Sequence, residues 1–215
     1  MIESRVSFPH EDLTLEGVVA LPEGTGPFPA VVVCHPHPLY GGNMDNNVVV
    51  SVCEALVEAA VASLRFNFRG VGASQGRFAQ GIGEQEDVKA ALTFLSSAEH
   101  IDPGSIGLCG YSFGASVVMP VAGGDPRVQA MALVSPLITL YTSLKWFTKP
   151  KLLICGSNDE VVTLAELQRF VDELPEPKDS EIIFGADHSW FGSEHKLAPK
   201  VASFFAAALR PPLRP

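Results

Sequence analysis

Five mainly apolar runs, each ending in a loop of small or polar residues, constrain this chain most: Ala30–Cys34, Val61–Asn67, Ile106–Cys109, Val128–Val134 and Lys151–Cys155. Runs of this kind suit strands buried on both faces, as in a parallel sheet covered by helices. The segments between them carry helical spacing. Val49, Val52, Cys53, Leu56 and Val57 share one face of 45–60, and Val88, Ala91, Leu92 and Leu95 share one face of 84–98. Thr163-Leu-Ala-Glu166 reads as a capping box opening a helix to about Leu174, and Leu197, Val201, Phe204, Phe205 and Ala208 stack along 196–209. At the start, Arg5–Phe8 and Leu13–Leu21 read as an antiparallel hairpin turning at His10–Asp12, and Ser180–Phe184 reads as a late strand. The pattern predicts an α/β fold, a mostly parallel sheet of about eight strands with helices on both faces and right-handed crossovers. At 215 residues the chain is most simply one domain over 1–215.

In such a sheet the loops at the carboxyl ends of the strands carry the site. One of them is distinctive. The run Ile106–Cys109 enters Gly110-Tyr-Ser-Phe-Gly114, spaced G-x-S-x-G, and an apolar helix-like segment, Ala115–Val121, follows. Strand, tight glycine turn and helix form the setting of a nucleophile elbow, which holds a serine hydroxyl proud of the sheet edge. Pro120, eight residues past Ser112, predicts that this helix is kinked or short there.

A hydroxyl is a weak nucleophile at its own pKa and needs a base, which in turn needs a carboxylate to orient it. The strand ends supply one of each after Ser112: Asp159 in Gly156-Ser-Asn-Asp-Glu160, then His188 in Gly185-Ala-Asp-His188. Glu160 and Asp187 compete with Asp159. Glu160 adjoins the Thr163 cap, and Asp187 neighbours His188, where adjacent side chains in extended backbone point apart. His10, His100 and His195 sit in turns or at a helix start and are set aside.

Composition excludes other classes. Apolar residues make up 47% and charged residues 18%, with a net charge of −9 and no block of lysine or arginine. Nucleic acid and anionic membrane surfaces, which need a basic face, are therefore not expected partners. The first residues show no signal peptide, no run is long enough to span a membrane, and the scattered Cys34, Cys53, Cys109 and Cys155 suit reduced, buried thiols; a cytoplasmic location is expected. His35 and His37 lack a third nearby ligand, so no metal is expected, nor any cofactor. The loop Arg69–Gly76 imitates a dinucleotide fingerprint but is spaced G-x-G-x-x-x-G and is read as structural.

Together Gly110-Tyr-Ser-Phe-Gly114, Gly156-Ser-Asn-Asp159 and Gly185-Ala-Asp-His188 resemble the three catalytic segments of α/β-hydrolase-fold serine hydrolases. His35-Pro-His-Pro-Leu-Tyr-Gly-Gly42 and Asn67-Phe-Arg-Gly-Val-Gly-Ala-Ser74 are similar to a small lidless bacterial subgroup near the dienelactone-hydrolase-like esterases. Those with dienelactone substrates use a cysteine where Ser112 stands, which disfavours that substrate. The resemblance implies a carboxylesterase acting on a small-molecule ester through Ser112, His188 and Asp159. A peptidase or thioesterase with the same triad, or a non-catalytic binding protein of this fold, are its alternatives. It also implies an oxyanion hole of two amides, that of Phe113 and one from the loop after Ala30–Cys34. Pro36 and Pro38 cannot donate, which leaves His37, Leu39 and Tyr40, with Leu39 favoured if the chain closes around the prolines. The stretch 135–149 is too short for a cap domain. Tyr40, His37 and Trp190, with Phe78, Tyr141, Trp146, Phe147 and Phe191, are expected around a shallow, open substrate pocket.

Overall fold

A computed structural model describes residues 2–138 and 143–209. Eight strands form one sheet in the order β1-β2-β4-β3-β5-β6-β7-β8. They are β1 (Ile2–His10), β2 (Leu13–Leu21), β3 (Phe28–Cys34), β4 (Ala62–Phe66), β5 (Ile101–Tyr111), β6 (Val128–Val134), β7 (Lys151–Gly156) and β8 (Lys178–Ile183). Only β2 runs against its neighbours, pairing antiparallel with β1 and β4, and every pair from β4 to β8 is parallel. The expected hairpin and parallel sheet are both present.

The two cores explain the apolar runs. Along β3, Ala30, Val32 and Cys34 belong to one apolar cluster, and Val31 and Val33 to the other. Successive side chains point to opposite faces, so a strand covered on both sides has no solvent-facing register to fill with polar residues. Helices α2 (Gly83–Ser96), α3 (Phe113–Gly124) and α4 (Leu164–Glu173) cover the first face with Val88, Leu92, Val117, Val118, Leu167 and Phe170. Helices α1 (Asn47–Glu58) and α5 (Glu194–Ala208) cover the second with Val49, Val52, Leu56, Leu197, Val201 and Phe205.

Side-chain caps open α1 and α4. The Asn46 side chain accepts the Val48 amide and starts α1, and the Thr163–Glu166 capping box opens α4. Asp102-Pro-Gly104 has the composition of a turn but bulges within β5, which keeps its pairing with Phe28 at Ile101 and resumes at Ala30 opposite Ile106. Pro120, expected to kink or shorten α3, does not shorten it. The helix runs on to Gly124, where the Asp125 amide caps onto Val121, and buried Val117, Val118, Met119, Val121 and Ala122 hold it to the sheet. Packing outweighs the one hydrogen bond a proline removes. Tyr141 and the tail 210–215 lie outside the described residues. The β6–β7 connection carries only a 3-10 turn, Ser143–Trp146, among its described residues, and these form no lid. No helix among the described residues is long and apolar enough to cross a membrane.

Candidate active site

The tight turn between β5 and α3 puts Ser112 at φ 54° and ψ −114°. This is a conformation that L-residues rarely hold unless the surroundings impose it. Those surroundings are the two glycines. A Cβ on Gly110 would lie 2.5 Å from the Ala115 nitrogen, and one on Gly114 would collide with the Cys34 carbonyl oxygen. Glycine at 110 thus lets β5 turn closely into α3, and glycine at 114 lets the start of α3 press against the end of β3. The Ser112 amide donates to Val134 O at 2.9 Å, tying the turn to β6.

Ser112 Oγ lies 2.9 Å from His188 Nε2, and His188 Nδ1 lies 3.0 Å from each Asp159 carboxylate oxygen. In the tautomer this geometry requires, Nδ1–H donates to Asp159 and Nε2 accepts the Ser112 proton. Asp159 follows β7 and has no exposed side-chain surface, whereas 23% of the His188 side chain is open to solvent. Burial pushes the Asp159 carboxyl up, but hydrogen bonds from His188, the Val162 amide and Ser135 outweigh it and hold the group at about 2. The Val161 and Val162 amides both donate to Oδ1, at 3.0 and 2.9 Å. Neither competitor takes this position. Glu160 is exposed, and Asp187 instead accepts from Ser189 Oγ and the Trp190 amide.

Of the three amides left open after β3, two are engaged. The Leu39 amide donates to His37 Nδ1 at 3.2 Å, and the Tyr40 amide donates to the His37 carbonyl at 3.1 Å. The expectation for Leu39 is corrected: its N–H caps a 3-10 turn, Pro38–Tyr40, and its side chain is exposed. Only the His37 amide makes no hydrogen bond among the described residues. The Phe113 amide, as the first of α3, has no intrahelical acceptor.

A cavity of about 420 Å³ opens over Ser112 and His188, lined by Pro36, His37, Tyr40, Asn46, Tyr111, Leu137 and Val161 among others. His37 and Tyr40 thus stand where they were expected. Trp190 does not. It is fully buried, at φ 61°, and its indole Nε1–H donates to Ser135 Oγ at 3.1 Å. The left-handed backbone turns the ring inward and away from the cavity. A larger cleft of about 740 Å³ lies beyond Gly41 and Gly42 against Arg69–Gly72, and its described lining includes Leu39 and Phe78 but not Ser112.

Several contacts at the site had no sequence signal. Tyr111 is the variable residue of the G-x-S-x-G turn, yet its hydroxyl donates to the His188 carbonyl at 2.6 Å, and burial pushes that hydroxyl's pKa up. His35 is buried, with Nδ1–H donating to Pro36 O at 2.6 Å and Nε2 accepting the Phe68 amide at 3.1 Å. Both ring nitrogens are therefore spent on main chain, and burial lowers its pKa to about 4. The Arg69 loop is held by a forked ion pair from Arg69 to the buried Asp87, at 2.7 Å. That is the structural use expected of it.

With this geometry established, the relatives of the chain become informative. A family model described as X-Pro dipeptidyl-peptidase (S15 family) matches residues 12–152, a span that holds the elbow and stops short of Asp159 and His188. An uncharacterized protein of Rickettsia prowazekii is 35% identical over 170 residues, 74% of this chain and 71% of that protein. A structure of an alpha-beta serine hydrolase homologue from Coxiella burnetii is 33% identical and superposes with a TM-score of 0.85 over 94% of this chain and 97% of its own. XC6422 from Xanthomonas campestris, described as a serine hydrolase without lid, is 27% identical with a TM-score of 0.85 over 99% of this chain and 97% of its own. A thiohydrolase of Aspergillus aculeatus is 34% identical over 132 residues, 60% of this chain and 39% of that protein. The match over 12–152 and the likeness to bacterial serine hydrolase structures show that the chain belongs to the S15 family of α/β-hydrolase-fold serine hydrolases.

Proposed function

We propose that this protein is a carboxylesterase working through an acyl-enzyme. The observation that carries the reading is the continuous hydrogen-bonded line from Ser112 Oγ through His188 to Asp159, at 2.9 Å and 3.0 Å. Ser112 Oγ attacks the ester carbonyl carbon while His188 Nε2 takes its proton, and Asp159 holds the imidazole and stabilises its charged form. The tetrahedral oxyanion is received by the amides of Phe113 and His37, which have no acceptor among the described residues. His188 then returns the proton to the departing alcohol. Water, activated by the same imidazole, releases the acid.

The lining of the cavity suggests the kind of acyl group. Pro36, Tyr40, Tyr111, Leu137 and Val161 offer apolar surface, and burial holds the pKa of His37 below its ordinary value. This suits a short, uncharged acyl chain better than the charged N-terminus of a peptide. A second reading, thioester hydrolysis by the same residues, draws support from the similarity to the fungal thiohydrolase. A panel of p-nitrophenyl esters of graded chain length, with matched acyl thioesters and Ala-Pro-p-nitroanilide, separates the readings. The expected result is highest kcat/KM on short esters, with the anilide turned over at least a hundredfold more slowly. Faster release from the thioesters would favour the second reading, and preference for the anilide would overturn both.

A further inference from the structure

His35 follows β3, is fully buried, and has no part in the mechanism above. Each of its ring nitrogens meets one backbone group. The Phe68 amide donates to Nε2 at 3.1 Å, so Nε2 is bare and the proton of the neutral ring sits on Nδ1. That proton is given to the Pro36 carbonyl oxygen at 2.6 Å. The Phe68 ring stands edge-on to the imidazole, with centroids 4.7 Å apart. Burial lowers the pKa of His35 to about 4, which keeps the ring in this one-proton form at neutral pH.

The Pro36 carbonyl matters because of the nitrogen in the same peptide unit. That nitrogen is the His37 amide, proposed above as one of the two oxyanion donors. The Pro36–His37 bond is trans, and in a planar trans peptide the C=O and N–H point opposite ways. Holding the oxygen on His35 therefore aims the His37 N–H away from the buried imidazole, and His37 lines the cavity over Ser112 and His188. The next carbonyl is held as well, since His37 O accepts the Tyr40 and Gly42 amides at 3.1 Å each. Gly42 packs so close that a Cβ there would collide with the Pro36 carbonyl oxygen. A Cβ on Gly114 would in turn meet the carbonyl oxygens of Cys34 and His35. Loop and elbow are thus packed backbone to backbone.

We propose that His35 is a positioning residue that sets the plane of the Pro36–His37 peptide and so aims the His37 amide at the oxyanion. The inference rests on the oxyanion hole proposed above. His35 touches no substrate and acts only through this peptide. A histidine that served packing alone would need neither a fixed tautomer nor a bond to this carbonyl. Here the tautomer is fixed by Phe68, and the carbonyl shares its peptide with an amide that has no acceptor among the described residues.

The test compares two variants of the whole chain, with an aryl trifluoromethyl ketone as the probe. Ser112 Oγ adds to the ketone carbon, the carbonyl π pair moves to oxygen, His188 takes the hydroxyl proton, and no group leaves. An asparagine side chain brings its amide to the place of Nδ1, and a glutamine brings its amide to the place of Nε2. His35→Gln therefore keeps the Phe68 bond and loses the Pro36 bond, whereas His35→Asn does the reverse. His35→Gln is expected to weaken the ketone and to lower kcat on a p-nitrophenyl ester by about thirtyfold, less than the roughly 10²–10³ of deleting an oxyanion donor. KM should stay within about twofold, because the oxyanion forms only after binding. His35→Asn should recover both readouts to within about threefold of the parent chain. A folded His35→Gln with parental kcat and ketone affinity overturns the proposal, as does a loss confined to KM or an equal loss in His35→Asn. A check on the parent chain needs no variant to fold. Nitrogen NMR of histidine-labelled protein at about pH 7 should find His35 neutral with its proton on Nδ1, and a proton on Nε2 would overturn the proposal. A ketone that forms no adduct on Ser112 in the parent chain instead strikes the oxyanion reading, and the role of His35 falls with it.

Discussion

Asp159 is the residue where environment and role meet most closely. It is withdrawn from solvent, yet its carboxyl sits at about 2 because its donors outweigh burial. If its task is to hold the Nδ1–H tautomer, Asp159→Asn keeps the shape and reverses the hydrogen bond, and kcat should fall on the order of 10⁴-fold. Steady-state kinetics on a p-nitrophenyl ester checks this, and near-normal turnover would move the acid elsewhere. Ser112, Asp159 and His188 were legible because each stands beside a glycine turn at the end of an apolar run, so local pattern and fold agreed on where they go. Trp190 was misread because nothing in His188-Ser-Trp190 announces a left-handed residue that turns an aromatic ring inward. Leu39 was misread because proline arithmetic removes amides that cannot donate but does not reveal one already bonded to His37. Tyr111 and Ser135 had no signal, since their partners are far off in sequence and met only by folding.

Among the elements, the junction of β5 and α3 is the least tolerant. Gly114 lets the first turn of α3 pass against the carbonyls of Cys34 and His35 at the end of β3. Gly114→Ala forces that contact apart and should cost on the order of 1–3 kcal/mol, the usual range for overpacking. It should also lower turnover, because the displaced turn carries both Ser112 and the Phe113 amide. Chemical denaturation and a kinetic assay on the same preparation test both halves. The alternation of strands and helices was legible because two-faced burial leaves so plain a mark on β3, β5, β6 and β7. Two details were not. Asp102-Pro-Gly104 has the composition of a turn, and only its pairing across the sheet reveals a bulge. Pro120 has the chemistry of a helix breaker, and only the apolar residues around it show that α3 continues.

At the scale of the whole molecule, burial of ionisable groups beside the site sets how the fold meets acid. The His35 imidazole takes a proton near 6.5 in the unfolded chain and only near 4 in place. The folded state is therefore undermined as pH falls between those values, by roughly 2–3 kcal/mol at about pH 4.5. Asp159 acts in a lower window: its folded value of about 2 lies below its ordinary 3.8, so its contribution is lost as pH falls from about 4 toward 2. Urea titrations at about pH 7 and pH 4.5 should show the first loss in the parent chain and a smaller one in His35→Gln. An equal loss in both would assign the acid sensitivity to other groups. With no lid among the described residues, the site should be open to solution. The most direct measurement is therefore to treat the folded protein with a fluorophosphonate and locate the adduct by mass spectrometry. A single adduct on Ser112, lost in Ser112→Ala and slowed by orders of magnitude in His188→Ala along with ester turnover, is the predicted result. An adduct elsewhere, or ester hydrolysis that survives Ser112→Ala, would contradict it.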